Sequence, residues 1–194
     1  MTGEVHIDFL CLLSTYLPIT KYLELGVCDA DCLNQVAPIV LGRPGSRAIG
    51  VDRNPCPVVL CSGVQFYCMS TQLYLQSLEE GVDVFDLVFI DADHDIASVL
   101  SDLRGVLPFV ANDGIVALHD TYPKDVGFTQ AGYCGSAYKI AAYWKEFSGI
   151  EFVTLPVHPG LTIIRKRKAQ VPWMEVADVL EDSEISDGVR HAKI

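Results

Sequence analysis

Polar and apolar positions along the chain alternate between two spacings, one helical and one extended. Across residues 5–17, Ile7, Leu10, Leu13 and Leu17 recur at helical spacing until Pro18 closes the run, which predicts a lead-in helix. TKYLEL then reads as a first strand, DCLNQVAPIVL as a helix ended by Gly42 and Pro44, and SRAIGVD as a second strand. VQFYC predicts a third strand and STQLYLQSLEE a helix, while VFDLVFID, apolar almost throughout, predicts a central parallel strand covered on both faces. A helix follows over 95–107 with Ile96, Val99, Leu100, Leu103 and Val106 on one side, and Asn112-Asp113-Gly114 marks a turn into the strand GIVALHD. Beyond a glycine-rich, aromatic loop at 121–135, the pattern predicts a helix over 136–147 and two last strands, EFVTLPV and LTIIRKR. The short His158-Pro159-Gly160 link between them suits an antiparallel hairpin.

This order predicts one α/β domain, a seven-stranded and mostly parallel sheet with helices on both faces and an antiparallel hairpin at its C-terminal edge. With 194 residues, half of them apolar, the chain is long enough to bury a substantial core. The domain is expected over residues 1–168. Residues 169–194 turn acidic and polar after Pro172 and read as a tail, either a peripheral helix or a disordered end.

The formal charge of −11 repels polyanions, and the only basic run, Arg165-Lys166-Arg167-Lys168, reads as the solvated end of a strand. A nucleic-acid partner is therefore not expected. Glu4, His6 and Asp8 stand where a signal peptide would carry basic residues, and the apolar stretch after them is too short to span a bilayer. A cytoplasmic location without a membrane partner follows; a homo-oligomer is left open. The seven cysteines are an odd number lying mostly within apolar runs, which favours reduced, buried thiols. Cys28 with Cys32 and Cys56 with Cys61 could converge on zinc, but the spacing is loose and one pair brackets a loop with a better use.

That use appears at the strand ends. Glu24, Asp52, Asp91 and the pair His119-Asp120 each stand where an apolar run stops, and Asp113 brackets GIVAL at its start. The carboxyl ends of strands in an open parallel sheet form the ligand crevice, so polar groups repeated there indicate a built site. Glu24-Leu25-Gly26-Val27, Ala30-Asp31-Cys32-Leu33 and Gly50-Val51-Asp52-Arg53-Asn54-Pro55 resemble the first two motifs of class I S-adenosylmethionine-dependent methyltransferases. FDLVFIDADHDIASVLSDLRGVLPFVANDGIVALHDT is similar to the central block of a subgroup acting on small molecules and sugars, related to macrolide-sugar O-methyltransferases. CGSAYKIAAYW and HPGLTIIRK resemble that subgroup's closing segments, so the similarity spans about 21–166. It implies a Rossmann-like fold, S-adenosylmethionine as cofactor and O-methylation of a small polar acceptor such as a sugar or natural product.

The residues carry this reading in their own chemistry. A loop passing close to the methionine part of the cofactor needs a position without a side chain, which Gly26 supplies. Asp52, ending the second strand, can accept both ribose hydroxyls, and Glu24 is expected to bind the cofactor as well, with a different task. The resemblance adds Met69, Ser70 and Thr71 as the adenine pocket. Asp91 is expected at both cofactor and metal: two carboxylates and an imidazole from Asp91, His119 and Asp120 suit magnesium or manganese, which could lower the pKa of an attacking hydroxyl. DADH also resembles the DAD-containing motif of metal-dependent O-methyltransferases, although the Asp-Asn pair of those enzymes is Asp120-Thr121 here. His94, at a helix start, is positioned to take the acceptor proton, the role the resemblance implies. Tyr122, Tyr133, Tyr138 and Lys139 lie in the segment expected to cover the acceptor. The chain departs from the family at Ala30, where a second glycine is usual, and at Cys32, where a hydroxyl residue is usual.

Other classes fit less well. An NAD-dependent oxidoreductase is disfavoured because Gly26-Val27-Cys28-Asp29-Ala30-Asp31 lacks the G-x-G-x-x-G order. A hydrolase is disfavoured because Ser14, Ser46 and Ser136 lack a G-x-S-x-G setting. A non-catalytic cofactor-binding or assembly protein that keeps the fold remains as the alternative from a different class, motivated by Ala30 and the cysteines near the loop.

Overall fold

The two most fully buried strands lie at the middle of the sheet. β1 (Lys21–Leu25) and β4 (Phe85–Ile90) are buried almost throughout in the computed structural model, which describes residues 5–167. A strand covered on both faces has little room for polar side chains, which is why FDLVFI reads as a nearly continuous apolar stretch. The sheet runs β3 (Val64–Cys68), β2 (Arg47–Asp52), β1, β4, β5 (Val110–His119), β7 (Leu161–Lys166), β6 (Ile150–Leu155). β3, β2, β1, β4 and β5 are parallel, and β7 is antiparallel to both β5 and β6. The expected Rossmann-like sheet and its closing pair are therefore present. Strand order reverses between β1 and β4, so the crevice at their carboxyl ends is the place such a sheet offers a ligand.

Because successive strand side chains point to opposite faces, the apolar residues divide into two cores. Leu23, Leu25, Val88 and Ile90 pack with Leu75 of α3 (Thr71–Gln76) and with Val99 and Leu103 of α4 (Ile96–Val106). Tyr22, Leu87 and Phe89 face Ile7 and Leu10 of α1 (Val5–Tyr16) and Leu33, Val36 and Val40 of α2 (Asp31–Leu41). The same alternation sends Glu24 to the α1–α2 side with Tyr22.

Three predicted elements differ. The helix expected from STQLYLQSLEE stops at Gln76, where the Ser77 hydroxyl donates to the Tyr74 carbonyl at 2.6 Å and competes with the helical ladder. The turn expected at Asn112-Asp113-Gly114 lies inside β5 instead. Asp113 takes a left-handed φ of 64°, and the β4–β5 register shifts between Phe85 and Leu87, so the turn residues form an irregularity within a continuous strand. Asp113 is thereby far from the crevice and pairs with Arg165 at 3.1 Å. The helix expected over 136–147 is a pair of 3₁₀ segments, Ala137–Ala142 and Trp144–Glu146. Its core-facing residues Ala137, Ile140 and Tyr143 recur every third position, the period of a 3₁₀ turn.

The basic run is part of the fold. Lys166 donates to the carbonyls of Leu107 and Val110, and Arg167 pairs with Glu151 at 2.6 Å. All seven cysteines are free thiols, but only Cys32 and Cys134 are buried, and Cys28 and Cys68 are exposed, which corrects the expectation of buried thiols. Among the described residues no helix is long and apolar enough to cross a membrane. Lys168 and the tail expected at 169–194 lie outside the described residues.

Candidate active site

The β1–α2 loop begins at Gly26, whose φ of 91° is one that side-chain-bearing residues rarely adopt. A Cβ on Gly26 would lie 2.4 Å from both the Ala92 Cα and the Asp91 carbonyl oxygen, so the absent side chain lets this loop lie directly on the β4–α4 loop. Two residues without glycine's freedom also take left-handed conformations here, Cys28 (φ 48°) and Ala30 (φ 63°). Ala30 thus keeps the backbone that a second glycine would adopt, at a steric cost of roughly 1–2 kcal/mol.

Asp52, at the end of β2, holds this loop. Its Oδ2 accepts from the Val27 and Cys28 amides at 3.0 Å each, and its Oδ1 accepts from the Asn54 amide at 2.8 Å. These bonds use three of the about four lone-pair sites a carboxylate offers. A ribose diol can meet both oxygens only when one amide lets go.

Asp52 and Gly26 line a cleft with Arg53, Ser70, Thr71, Gln72, Ala92, Asp93, Ser98 and Asp102. Ser70 caps α3 by accepting from the Leu73 amide at 3.3 Å, while Thr71 donates to Asp102 at 2.7 Å. Met69, expected in the adenine pocket with them, packs instead against the α3–α4 core. Glu24, expected among the cofactor-binding residues, is turned to the α1–α2 side of β1. It is 1% exposed, accepts from the Tyr22 hydroxyl at 2.5 Å, and lies next to Cys32, whose Sγ is 3.6 Å from that hydroxyl.

Burial pushes the Glu24 carboxyl up to about 8, against the opposing hydrogen bonds from Tyr22 and Cys32. An acid with a raised folded pKa binds its proton more tightly in the folded state, so its contribution to stability is lost as pH rises from the unfolded value of 4.5 to about 8. Across that window the expected loss is about 1.4 kcal/mol per pH unit. Glu24→Gln is expected to flatten the fall in melting temperature between pH 5 and pH 8; thermal melts that fall equally in both proteins would refute this.

At the ends of β4 and β5, one ligand atom each from Asp91, His94 and Asp120 lies within 4.8 Å of the others. His94 Nε2 is 3.0 Å from Asp120 Oδ2 and 3.6 Å from Asp91 Oδ1, and its Nδ1–H donates to the Tyr133 carbonyl. A carbonyl can only accept, so this bond fixes the tautomer and turns Nε2 toward the carboxylates. His119, expected as the imidazole of a metal site, places Nδ1 3.1 Å from Asp91 Oδ1, while its buried Nε2 has no hydrogen-bond partner among the described residues. The His6 ring of α1 lies 4.2 Å from the His119 ring, centroid to centroid. In this arrangement His94 stands where His119 was expected.

The electrostatics follow from crowding two imidazoles around two carboxylates. Burial alone would raise the Asp91 carboxyl, but hydrogen bonds from His119 and His94 outweigh it and bring it down to about 2. The hydrogen bond to Asp91 and the charge of Asp120 take His94 up to about 9 against burial. Burial opposes the charge on His119, yet Asp120 and Asp91 carry it up to about 10. His6, pressed down by burial and by His119, falls to about 4. Both carboxylates therefore hold positive charge between them, and the donor set fits a divalent cation.

A second cleft of about 450 Å³ opens beside this group, lined by Ala92, Asp93, His94, Asp95, Thr129, Ala131, Gly132, Gly135 and Ser136. It shares Ala92 and Asp93 with the first cleft. Tyr122, Tyr133, Tyr138 and Lys139 do not line it with their side chains; Tyr133 contributes its carbonyl to His94. Among the described residues the cysteines form no metal-binding group. Gln72, Ser98, Asp93 and Asp102 escaped sequence reasoning. Only Asp102 left a signal, a carboxylate three residues from Val99 and four from Val106 on the apolar side of α4.

Residues 46–121, from the start of β2 to the end of β5, match the family model of a methyltransferase domain. No curated protein sequence matches the chain. Among solved structures, the SAH-bound methyltransferase PaMTH1 of Podospora anserina superposes with a TM-score of 0.71 at 16% identity, covering 87% of this chain and 80% of that one. A putative caffeoyl-CoA O-methyltransferase of Staphylococcus aureus gives 0.67 at 15% identity, covering 86% and 85%. The O-methyltransferase TomG of Streptomyces achromogenes, in complex with SAM and involved in tomaymycin synthesis, gives 0.63 at 15% identity, covering 87% and 82%. Residues 46–121 thus match a methyltransferase domain, and the chain as a whole has the Rossmann-like fold of these structures.

Proposed function

We propose that the chain transfers the methyl group of S-adenosylmethionine to an oxygen of a small polar acceptor, such as a sugar or natural product, with a divalent ion such as magnesium or manganese assisting. The observation that carries this reading is the Asp91–His94–Asp120 group, set where two clefts meet along Ala92 and Asp93. The first cleft, beside the Gly26 loop and Asp52, suits the cofactor. The second suits the acceptor.

In-line displacement needs the acceptor oxygen, methyl carbon and sulfur aligned; the oxygen–carbon bond forms as the carbon–sulfur bond breaks, and the sulfonium leaves as a thioether. The hydroxyl proton passes to His94 Nε2, which faces the junction because its other nitrogen is tied to Tyr133. Asp91 and Asp120 would hold the ion with His119 as nitrogen donor, its Nδ1 lying 3.1 Å and 3.5 Å from the two carboxylates, which leaves His94 Nε2 free for the proton. When bound, the ion supplies a Lewis acid that lowers the acceptor's pKa. With the charge of Asp91 and Asp120 balanced in this way, His94 would no longer be held protonated and could act as the base. The free thiols and the lack of a membrane-crossing helix among the described residues suit a cytoplasmic enzyme.

Calorimetric titration with S-adenosylhomocysteine, with NAD for comparison and Asp52→Ala as control, tests the cofactor. Binding of the first ligand alone, weakened in the variant, is expected. An acceptor panel with and without magnesium or manganese then tests catalysis. Cofactor binding without turnover on sugars, phenols or hydroxylated natural products would favour a non-catalytic cofactor-binding protein, a reading that the strained Ala30 also supports.

A further inference from the structure

We infer that Asp102 is the residue that selects the exocyclic amino group of the cofactor's adenine. The inference rests on the proposed cofactor cleft and assigns its far end. Across the carboxyl edge of the sheet, Gly26 follows β1, Asp52 ends β2, and Ser70 to Gln72 follow β3, so a cofactor with its ribose at Asp52 carries its base toward the start of α3. Asp102 comes to that point from α4, a helix on the other side of the cleft. It is 1% exposed, yet it is one of the residues lining the cleft.

Its surroundings are one-sided. The Thr71 hydroxyl at 2.7 Å and the Gln72 amide at 3.1 Å both donate to Oδ1. The second oxygen receives neither of these bonds. A carboxylate withdrawn from water is costly unless its oxygens are supplied with donors. Burial and the nearby Asp93 charge raise Asp102 to about 6, with the Thr71 bond pulling the other way. At neutral pH it therefore presents an acceptor.

An amino group on a purine offers two N–H donors and no acceptor, which matches that demand. A 6-oxo purine places an oxygen against the carboxylate and leaves both groups without a donor. Loss of a donor that a buried site is built to receive is among the strongest bases for discrimination. A tie between α3 and α4 would explain the Thr71 and Gln72 bonds, but it predicts no preference among purines.

The test is calorimetric titration of the native chain, Asp102→Asn and Thr71→Val with S-adenosylhomocysteine, its inosine counterpart and its doubly N-methylated adenine counterpart. The native chain is expected to bind the adenine form at least about 100-fold more tightly than either analogue. Asp102→Asn, whose amide can donate to a 6-oxo group, is expected to narrow the adenine-to-inosine ratio at least about tenfold. Thr71→Val, which keeps the carboxylate, is expected to preserve most of the ratio. A native ratio near one overturns the assignment without any variant, and so does an Asp102→Asn ratio equal to the native one. No binding of S-adenosylhomocysteine to the native chain overturns the cofactor reading as well, whereas tight binding with no purine preference overturns only the role of Asp102.

Discussion

Gly26→Ala is expected to abolish binding of S-adenosylhomocysteine and to lower stability by about 3 kcal/mol, combining left-handed backbone strain with overpacking. The added carbon would fall within 2.5 Å of the Ala92 Cα, the Ala92 nitrogen and the Asp91 carbonyl oxygen, all backbone atoms that cannot rotate away. Relief requires the β1–α2 loop to separate from the β4–α4 loop. That separation breaks two bonds that fix the loops to the sheet, Gly26 N–H to the Val51 carbonyl and Asp91 N–H to the Leu25 carbonyl, each 2.8 Å. Both clefts share the displaced Ala92, so cofactor and acceptor geometry fail together. Thermal melts and calorimetry check this; a variant that melts like the native chain and still binds would show that the loops do not need their close approach.

Asp91→Asn is expected to leave the fold intact and to reduce kcat/KM roughly 10²–10³-fold, the scale seen when one electrostatic group at a reacting centre is removed. The amide keeps the shape of the side chain and can still accept one bond from His119. It removes the charge that holds His94 and His119 protonated and that would balance a divalent ion beside Asp120. The rise in melting temperature on adding manganese, expected for the native chain, is expected to vanish in the variant. Turnover within about threefold of native would mean that Asp91 only orients its neighbours.

Most of the fold was legible because buried parallel strands announce themselves as unbroken apolar runs. β3 and α2 match the predicted segments VQFYC and DCLNQVAPIVL residue for residue. The failures lie where a local pattern has two readings. Asn112-Asp113-Gly114 has the composition of a turn, but pairing with β4 absorbs it as a strand irregularity. Ala137, Ile140 and Tyr143 resemble one face of an α-helix until the exact spacing of three is noticed.

The site divides in the same way. Gly26, Asp52, Ser70, Thr71, Asp91, His94 and Asp120 fall at strand ends, a place fixed by topology alone, so sequence order brought them near the crevice. Glu24 shares that place but belongs to the opposite side-chain parity, and β1 turns it inward toward Tyr22. Which imidazole would approach Asp120 was beyond a one-dimensional reading. It depends on the Tyr133 carbonyl, supplied by a loop 39 residues further along.

The three amides gathered on Asp52 change what affinity at that carboxylate means. A ligand that meets both carboxylate oxygens would enter an exchange, because one of the bonds it gains displaces an amide the chain already holds. The net contribution of such a contact would be the bonds formed less the amide bond given up. The same exchange would assist departure, since the loop amide returns to the carboxylate as the ligand leaves.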